Sequence, residues 1–181
     1  MSDSLLVLAF DSSTEWLSVA VDVDGARVLQ RDEPGGARAS QRLLPLVAEL
    51  LAEAGHSLRE VGLIGFGAGP GAFTGLRAAC AAAQGLARGL GCPVVPVPTL
   101  LAVAASAEAR SPAGRVLVAN DARMGEMYWA VAEALPGQAP GWQLTAPSRV
   151  QAPAQAAAGW QAEFGAEPPP GLVLCGNAWA V

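Results

Sequence analysis

Lysine is absent: all eleven basic side chains are arginines, and sixteen acidic ones leave a formal net charge of -5. This excludes Schiff-base chemistry, a lysine general base and the phosphate lysine of a P-loop. The arginines are scattered singly from Arg27 to Arg149 and form no basic stripe. The chain alone is therefore not expected to hold nucleic acid tightly, because backbone contact needs concentrated positive charge. Histidine occurs once, as His56 in HSLRE. It reads as solvated, and no Ser-His-Asp or Cys-His arrangement can be built on it. Cys80, Cys92 and Cys175 lie far apart, in none of the pairings that mark zinc or a redox couple. Cys80, among alanines, reads as a small buried hydrophobe. Although 52% of the residues are apolar, no unbroken apolar run reaches the roughly 20 residues a membrane helix needs. No basic stretch leads into an apolar run and a cleavage site, so export is not expected and a reducing cytoplasm is.

Residues 5–10 form a short apolar run that ends in Asp11-Ser12-Ser13-Thr14, which reads as a buried strand and a polar turn. Residues 17–23 and 26–31 are further strands joined by Asp24-Gly25, a strong hairpin signal. A meander of this kind disfavours a doubly wound nucleotide domain, which opens strand, helix, strand. From Ser40 the period becomes helical, with Leu43, Leu44, Val47, Leu50, Leu51 and Ala54 on one broad face. Pro45 is compatible with a helix beginning near residues 42–44, where first-turn amides lack acceptors.

A brief strand over 63–66 precedes a second helix, for which Thr74 offers an N-cap oxygen and Leu76, Cys80, Ala83, Ala87 and Leu90 a common face. Its six alanines permit close approach to a sheet or to another helix. Strands at 94–97, 115–119 and 127–132 follow, with a helix from Thr99 between the first two. Residues 136–171 are rich in Ala, Pro, Gly and Gln and read as loops with one short helix near Gln155, before Pro168-Pro169-Pro170 and a last strand at 172–175.

The segment GAGPGAFTGLR, residues 67–77, admits several uses. It is not a P-loop, since Leu76 stands where the lysine belongs. Gly67, Gly69 and Ala72 satisfy a dinucleotide spacing, but the match is in mid-chain, broken by Pro70, and no acid ends the next strand. Three readings stay open. The amides of 71–75 ahead of a helix can hold an anion; Gly69, Gly71 and Gly75 can permit a tight turn and close packing; or the segment can face a partner.

Asp11 could orient magnesium or phosphate together with Ser12 and Thr14, or cap its own turn. Asp121 and Glu126 flank Arg123; a catalytic pair would need both carboxylates in one cleft, and an ion pair with Arg123 is the simpler expectation. With no lysine, one histidine and no metal cluster, the chain suits holding another protein better than making or breaking bonds.

Taken in order, LAFDSSTEWLSVAV, SQRLLPLVAELLAEAG, GFGAGPGAFTGLRAACAAAQGLARGLGCPVVPVPTL and VANDARMGEMYWAV closely resemble the TsaB (YeaZ) family of tRNA threonylcarbamoyladenosine biosynthesis proteins. The resemblance covers residues 6–131, and LCGNAWAV is a weaker match to a family turn. It implies an α/β, actin-like (sugar kinase and heat-shock ATPase) architecture of two related lobes. The first would span residues 1–100; the second, 101–181, would be reduced and end sooner than in family members. The implied role is a non-catalytic scaffold and activator of the paralogous enzyme TsaD, which modifies position 37 of tRNA, with a TsaE-like ATPase as a further partner. A homodimer is implied for the isolated chain, tRNA contact only through the complex, no membrane association, no intrinsic cofactor, and ATP and magnesium in the assembled complex.

Residue by residue, the resemblance places Asp11, Ser12 and Thr14 on a remnant phosphate loop and Gly69, Gly71, Phe73, Thr74, Gly75 and Arg77 on the glycine motif. The pairing surface would draw on Leu43, Leu44, Val47, Leu51, Leu76, Arg77, Cys80, Ala83 and Ala87. Two departures stand out: Ala39 replaces a family histidine and Ala68 a family arginine, and Ala39 cannot ligate a metal. The rival reading is a small magnesium-nucleotide ATPase or kinase relative using Asp11 and Asp121. A secreted protease-like factor is a remoter third, disfavoured by the lack of a leader and of a nucleophile-base pair.

Overall fold

A computed structural model describes residues 5–107, 114–135, 141–165, 167 and 170–180. The chain divides into two compact units, Met1–Pro98 and Thr99–Val181.

In the first unit, β1 (Leu6–Asp11), β2 (Trp16–Val23) and β3 (Arg27–Pro34) form an antiparallel meander. Its second hairpin turns on Asp24 and Gly25, with φ of 58° and 68°, the paired left-handed residues that match strand twist. Next come α1 (Ala39–Ala54), β4 (Val61–Gly67) parallel to β1, α2 (Phe73–Leu90) and β5 (Val94–Val97) parallel to β4. The sheet order is β3-β2-β1-β4-β5. Strand alternation aims Leu6, Leu8 and Phe10 of β1 and Leu17, Val19 and Val21 of β2 at one face. There they meet Leu43, Leu46, Val47, Leu50 and Leu51 of α1 and Ala79 and Ala83 of α2. Each fully buried leucine or valine in that layer contributes about 1.5–3 kcal/mol.

Two helix starts differ from the sequence expectation. A 3-10 turn, Gly36–Arg38, leads straight into α1 at Ala39, so Pro45 lies inside the helix rather than in its first turn. The helix cap of α2 is Ala72, without a side-chain hydrogen bond, and Thr74 is an exposed second helical residue. α1 ends at Gly55, φ 83°, whose amide donates to the carbonyl of Ala52 while that of His56 donates to Leu51.

The second unit contains α3 (Thr99–Ser106), β6 (Arg115–Arg123), β7 (Glu126–Ala134), β8 (Trp142–Leu144), β9 (Arg149–Gln151), α4 (Pro153–Phe164) and β10 (Val173–Cys175). β6 and β7 are antiparallel, β8 and β9 both pair with β7, and β10 runs parallel to β6. Leu100 and Ala104 of α3 pack on Val116, Val118, Ala130 and Ala132. Ala156 and Trp160 of α4 cover the opposite alternation, Leu117, Trp129 and Val131. The span read as loops around one short helix thus holds a three-turn helix and two short strands, with Trp142 pinned in the core at 7% exposure. Residues 136–140 and Pro168-Pro169 of that span lie outside the described residues.

The two units share one sequence of elements. β1-β2-β3-α1-β4 recurs as β6-β7-β8/β9-α4-β10, with the last strand parallel to the first in both.

Candidate functional site

The β1–β2 turn, residues 11–15, is the point where the candidates Asp11, Ser12, Thr14, Gly71 and Gly75 meet. Asp11 ends β1 and its Oδ1 accepts the amide of Ser13 at 2.6 Å. The carboxylate rests on the α-carbon of Gly67, the last residue of β4: a β-carbon there would stand 1.8 Å from Asp11 Oδ2. Ser12 is buried and its Oγ donates to the carbonyl of Gly75 at 2.9 Å. The amide of Ala72 donates to the carbonyl of Ser13 at 2.6 Å. Thr14 Oγ1 accepts the amide of Trp16 at 3.2 Å.

These contacts show what the glycine segment packs against. A β-carbon at Gly75 would stand 1.7 Å from the Ser12 carbonyl oxygen, and one at Gly71 2.4 Å from that of Ser13. No real β-carbon comes so close, so both glycines exist to let the first turn of α2 lie backbone to backbone on the β1–β2 turn. Gly69 has φ 94°, with Leu76 Cδ1 3.1 Å from the place its β-carbon would take. Thr74 points to solvent.

A cradle for phosphate draws on amide and hydroxyl donors; here the Ser13 amide is spent on Asp11 and the Ser12 hydroxyl on Gly75, while the Ser13 hydroxyl is buried without a partner. Two carbonyl oxygens, of Ser12 and Ser13, face the first turn of α2. Asp11, Ser12, Gly71 and Gly75 are brought together, in a packing joint. Sequence reasoning missed Gly67 and Ser13 as members; the signal was a glycine ending the strand beside β1.

The second unit repeats the device. Asp121 Oδ1 accepts the amide of Arg123 at 2.8 Å and Oδ2 its guanidinium at 3.0 Å, the ion pair expected from the sequence. Asn177 Oδ1 accepts the Asp121 amide at 2.8 Å, and the Asn177 amide donates to Asn120 Oδ1 at 3.3 Å. Gly176, φ 103°, follows β10 as Gly67 ends β4, and a β-carbon there would stand 2.1 Å from the Ala119 oxygen. Glu126 is exposed at the base of the same hairpin.

On the helices, Leu43, Val47, Leu51 and Ala83 are each 2% exposed or less and belong to the chain's own core, which removes them from any surface. The 3.6-residue period identified their face correctly but not which partner it meets: they meet the sheet. Leu76 folds over Gly69, and Cys80 and Ala87 are half-buried, so Cys80 is less covered than expected. Cys80 Sγ accepts from Gln84 Nε2 at 3.5 Å. Facing outward are Leu44, half exposed, and Arg77, whose guanidinium stacks 3.9 Å over the ring of Phe73, itself 64% exposed.

Ala39 is buried at the head of α1. Among the described residues no three His, Cys, Asp or Glu side chains are grouped to hold a metal. His56 is partly covered rather than solvated: its Nδ1 lies 3.0 Å from Glu60 Oε1. Glu60 also accepts the amide and hydroxyl of Ser57, both at 2.7 Å. The Ser57 hydrogen bonds, reinforced by His56, hold the Glu60 carboxyl down at about 2. No helix among the described residues is long and apolar enough to cross a membrane.

The family described as "TsaD: tRNA N6-adenosine threonylcarbamoyltransferase" matches residues 34–167. The tRNA threonylcarbamoyladenosine biosynthesis protein TsaB of Escherichia coli (strain K12) is 44% identical over 124 residues, 68% of this chain and 53% of that protein. TsaB of Haemophilus influenzae is 41% identical over 126 residues, 70% of this chain and 53% of that protein. The chain thus spans about half the length of these curated relatives. The crystal structure of a Pseudomonas aeruginosa protein described as similar to peptidase YEAZ superposes with a TM-score of 0.79 at 37% identity, over 96% of this chain and 84% of that one. YeaZ from Pseudomonas aeruginosa gives 0.77 at 40% identity, over 94% and 84%.

Proposed function

The chain belongs to the TsaB (YeaZ) family and has its actin-like α/β fold, and on that premise we propose that it is a non-catalytic scaffold and activator of TsaD in the N6-threonylcarbamoyladenosine modification of tRNA position 37. The observation that carries the reading is the joint at Ser12 and Gly75. The turn that a nucleotide-using relative would offer to phosphate is packed on α2, with the Ser12 hydroxyl and the Ser13 amide committed within the joint, which supports a holding role for it. What that joint holds in place is the first turn of α2 and the outward pair Phe73 and Arg77.

The two compact units are read as the two related lobes of the actin-like fold, the second reduced. Pairing runs through the outward sides of α1 and α2, with Leu44, Phe73 and Arg77 as its exposed large side chains. The isolated chain self-associates through the same sides; TsaD displaces the second copy, and a TsaE-like protein joins the pair. ATP, magnesium and tRNA are engaged by the assembled complex, in the cytoplasm.

Mixing the purified chain with TsaD and following the mixture by size-exclusion chromatography and light scattering tests the reading. A heterodimer at micromolar concentration, with tRNA modification by TsaD rising when the chain is added, is the expected result. Failure of the folded chain to pair, or ATP hydrolysis by the chain alone that requires Asp11, would overturn it.

A further inference from the structure

Met124 stands at the tip of the β6–β7 hairpin, where Met124 and Gly125 form the loop between the paired Arg123 and Glu126. Both loop residues are left-handed, with φ of 55° and 77°, and Arg123 before them is left-handed too, φ 67°. Two left-handed residues in succession make the tight turn that suits twisted strands, and its first place ordinarily goes to Asn, Asp or Gly. Methionine is ill suited to it, since its β-carbon comes too close to the following carbonyl oxygen.

The fold does not offset that cost. Met124 is 99% exposed, so its side chain buries no apolar surface. The turn is held by its neighbours instead: Asp121 accepts the Arg123 amide at 2.8 Å and its guanidinium at 3.0 Å. What methionine brings here that asparagine would not is an apolar, oxidisable sulfur in open water.

The other sulfur-bearing side chains among the described residues are more covered. Met127, three residues on in β7, is 8% exposed and packs with Leu117, Trp129 and Val131; Met1 lies outside the described residues. Cys80, Cys92 and Cys175 are half-buried, and burial pushes the Cys175 thiol up to about 11, away from the thiolate that peroxide attacks.

We propose that Met124 is a site of reversible oxidation by peroxides, presented on a held turn where a reductase can reach it. A sulfur lone pair attacks one oxygen of hydrogen peroxide: an S–O bond forms, the O–O bond breaks, and the other oxygen leaves as water after taking the proton. Sulfur is oxidised by two electrons and the peroxide is reduced. A dithiol reductase reverses the step, its two thiols becoming a disulfide while the sulfoxide oxygen leaves as water. Because the Met124 side chain lies wholly in solvent, its sulfoxide disturbs no packing, and the tip changes from apolar to polar with the fold intact. The same oxidation at Met127 would put a polar oxygen in the core.

Treatment of the folded chain with hydrogen peroxide, with each methionine followed by peptide mass spectrometry, tests the site. Expected is oxidation of Met124 at least about tenfold faster than of Met127, with the two rates converging in urea. The Met124 rate is expected to be equal at about pH 5 and about pH 8, because a thioether, unlike a thiol, has no proton to lose. Chain oxidised at Met124 alone is expected to keep the wild-type Tm, and the two epimer-specific methionine sulfoxide reductases, supplied with a dithiol, to restore the thioether. Met127 reacting as fast as Met124 in the folded chain overturns the site, and so does selectivity that persists in urea, which would belong to local sequence. A fall in Tm with Met127 intact, or a sulfoxide that the reductases cannot remove from the folded chain, overturns the reversible switch of surface chemistry.

Discussion

Gly75 and Ser12 are held face to face: Ser12 Oγ donates to the Gly75 carbonyl at 2.9 Å, and the Ser12 carbonyl oxygen lies where a β-carbon on Gly75 would be, 1.7 Å away from it. A hydroxyl and a missing side chain together fix the start of α2 against the end of β1. Gly75→Ala forces the two backbones apart and is expected to cost about 2–4 kcal/mol, read as a lower urea midpoint with unchanged slope. Gly85→Ala, in the same helix, is expected to stabilise by about 0.5–1 kcal/mol.

Ser12→Ala keeps the shape of the joint and deletes one buried hydrogen bond. A loss of about 1–2 kcal/mol is expected, smaller than for Gly75→Ala. Cysteine at position 12 is expected to do no better than alanine, because the larger sulfur does not fit the 2.9 Å separation.

Leu43 and Leu44 are neighbours with opposite fates. Leu43→Ala empties core space beneath α1, for about 2–4 kcal/mol. Leu44→Glu alters a half-exposed position and is expected to leave the urea midpoint within about 0.5 kcal/mol of wild type. The same change is expected to weaken self-association measured by sedimentation.

The Ser57 and Glu60 capping box sets a pH dependence. Glu60 has its folded carboxyl lowered from 4.5 to about 2, so the stabilisation it brings is complete above the unfolded value. It fades as pH falls from about 4.5 towards 2. Hydrogen exchange at the Ser57 amide is expected to lose protection over that window, and Glu60→Gln to remove the transition.

Cys175 is half-buried at the end of β10, and burial pushes its thiol up to about 11. Alkylation by iodoacetamide at pH 8 is expected to be slow at this position and to accelerate as pH approaches that value, followed by peptide mass spectrometry.

Local chemistry made much of the fold legible. Asp24-Gly25 announced its hairpin because two left-handed residues in succession suit few side chains, and the apolar alternation of β1 and β2 is written plainly. Helix starts were harder. α1 begins at Ala39, straight after a 3-10 turn, and so takes in Pro45, an exposed position that a first-turn reading places at the helix start. Thr74 looked like a cap, but the role fell to Ala72, whose amide reaches across to Ser13. That is a contact between residues 59 apart in sequence, and no local pattern encodes it. The site was legible as composition and not as geometry: the glycines of 67–75 stand out, yet only the positions of Ser12 and Ser13 show that Gly71 and Gly75 admit backbone. Leu43, Val47 and Leu51 show the same limit, since a helical period defines a face without saying what covers it.

The contrast along α2 has a mechanical consequence. Its first turn is riveted by Ser12 and Ser13, while its far half rests on the core through Leu86, Ala87 and Leu90 with Gly85 and Gly89 bare on its outer side, so the root is fixed by directional bonds and the tip by apolar contact. Amide exchange in the free chain is expected to be slower around Gly75 than over residues 85–90.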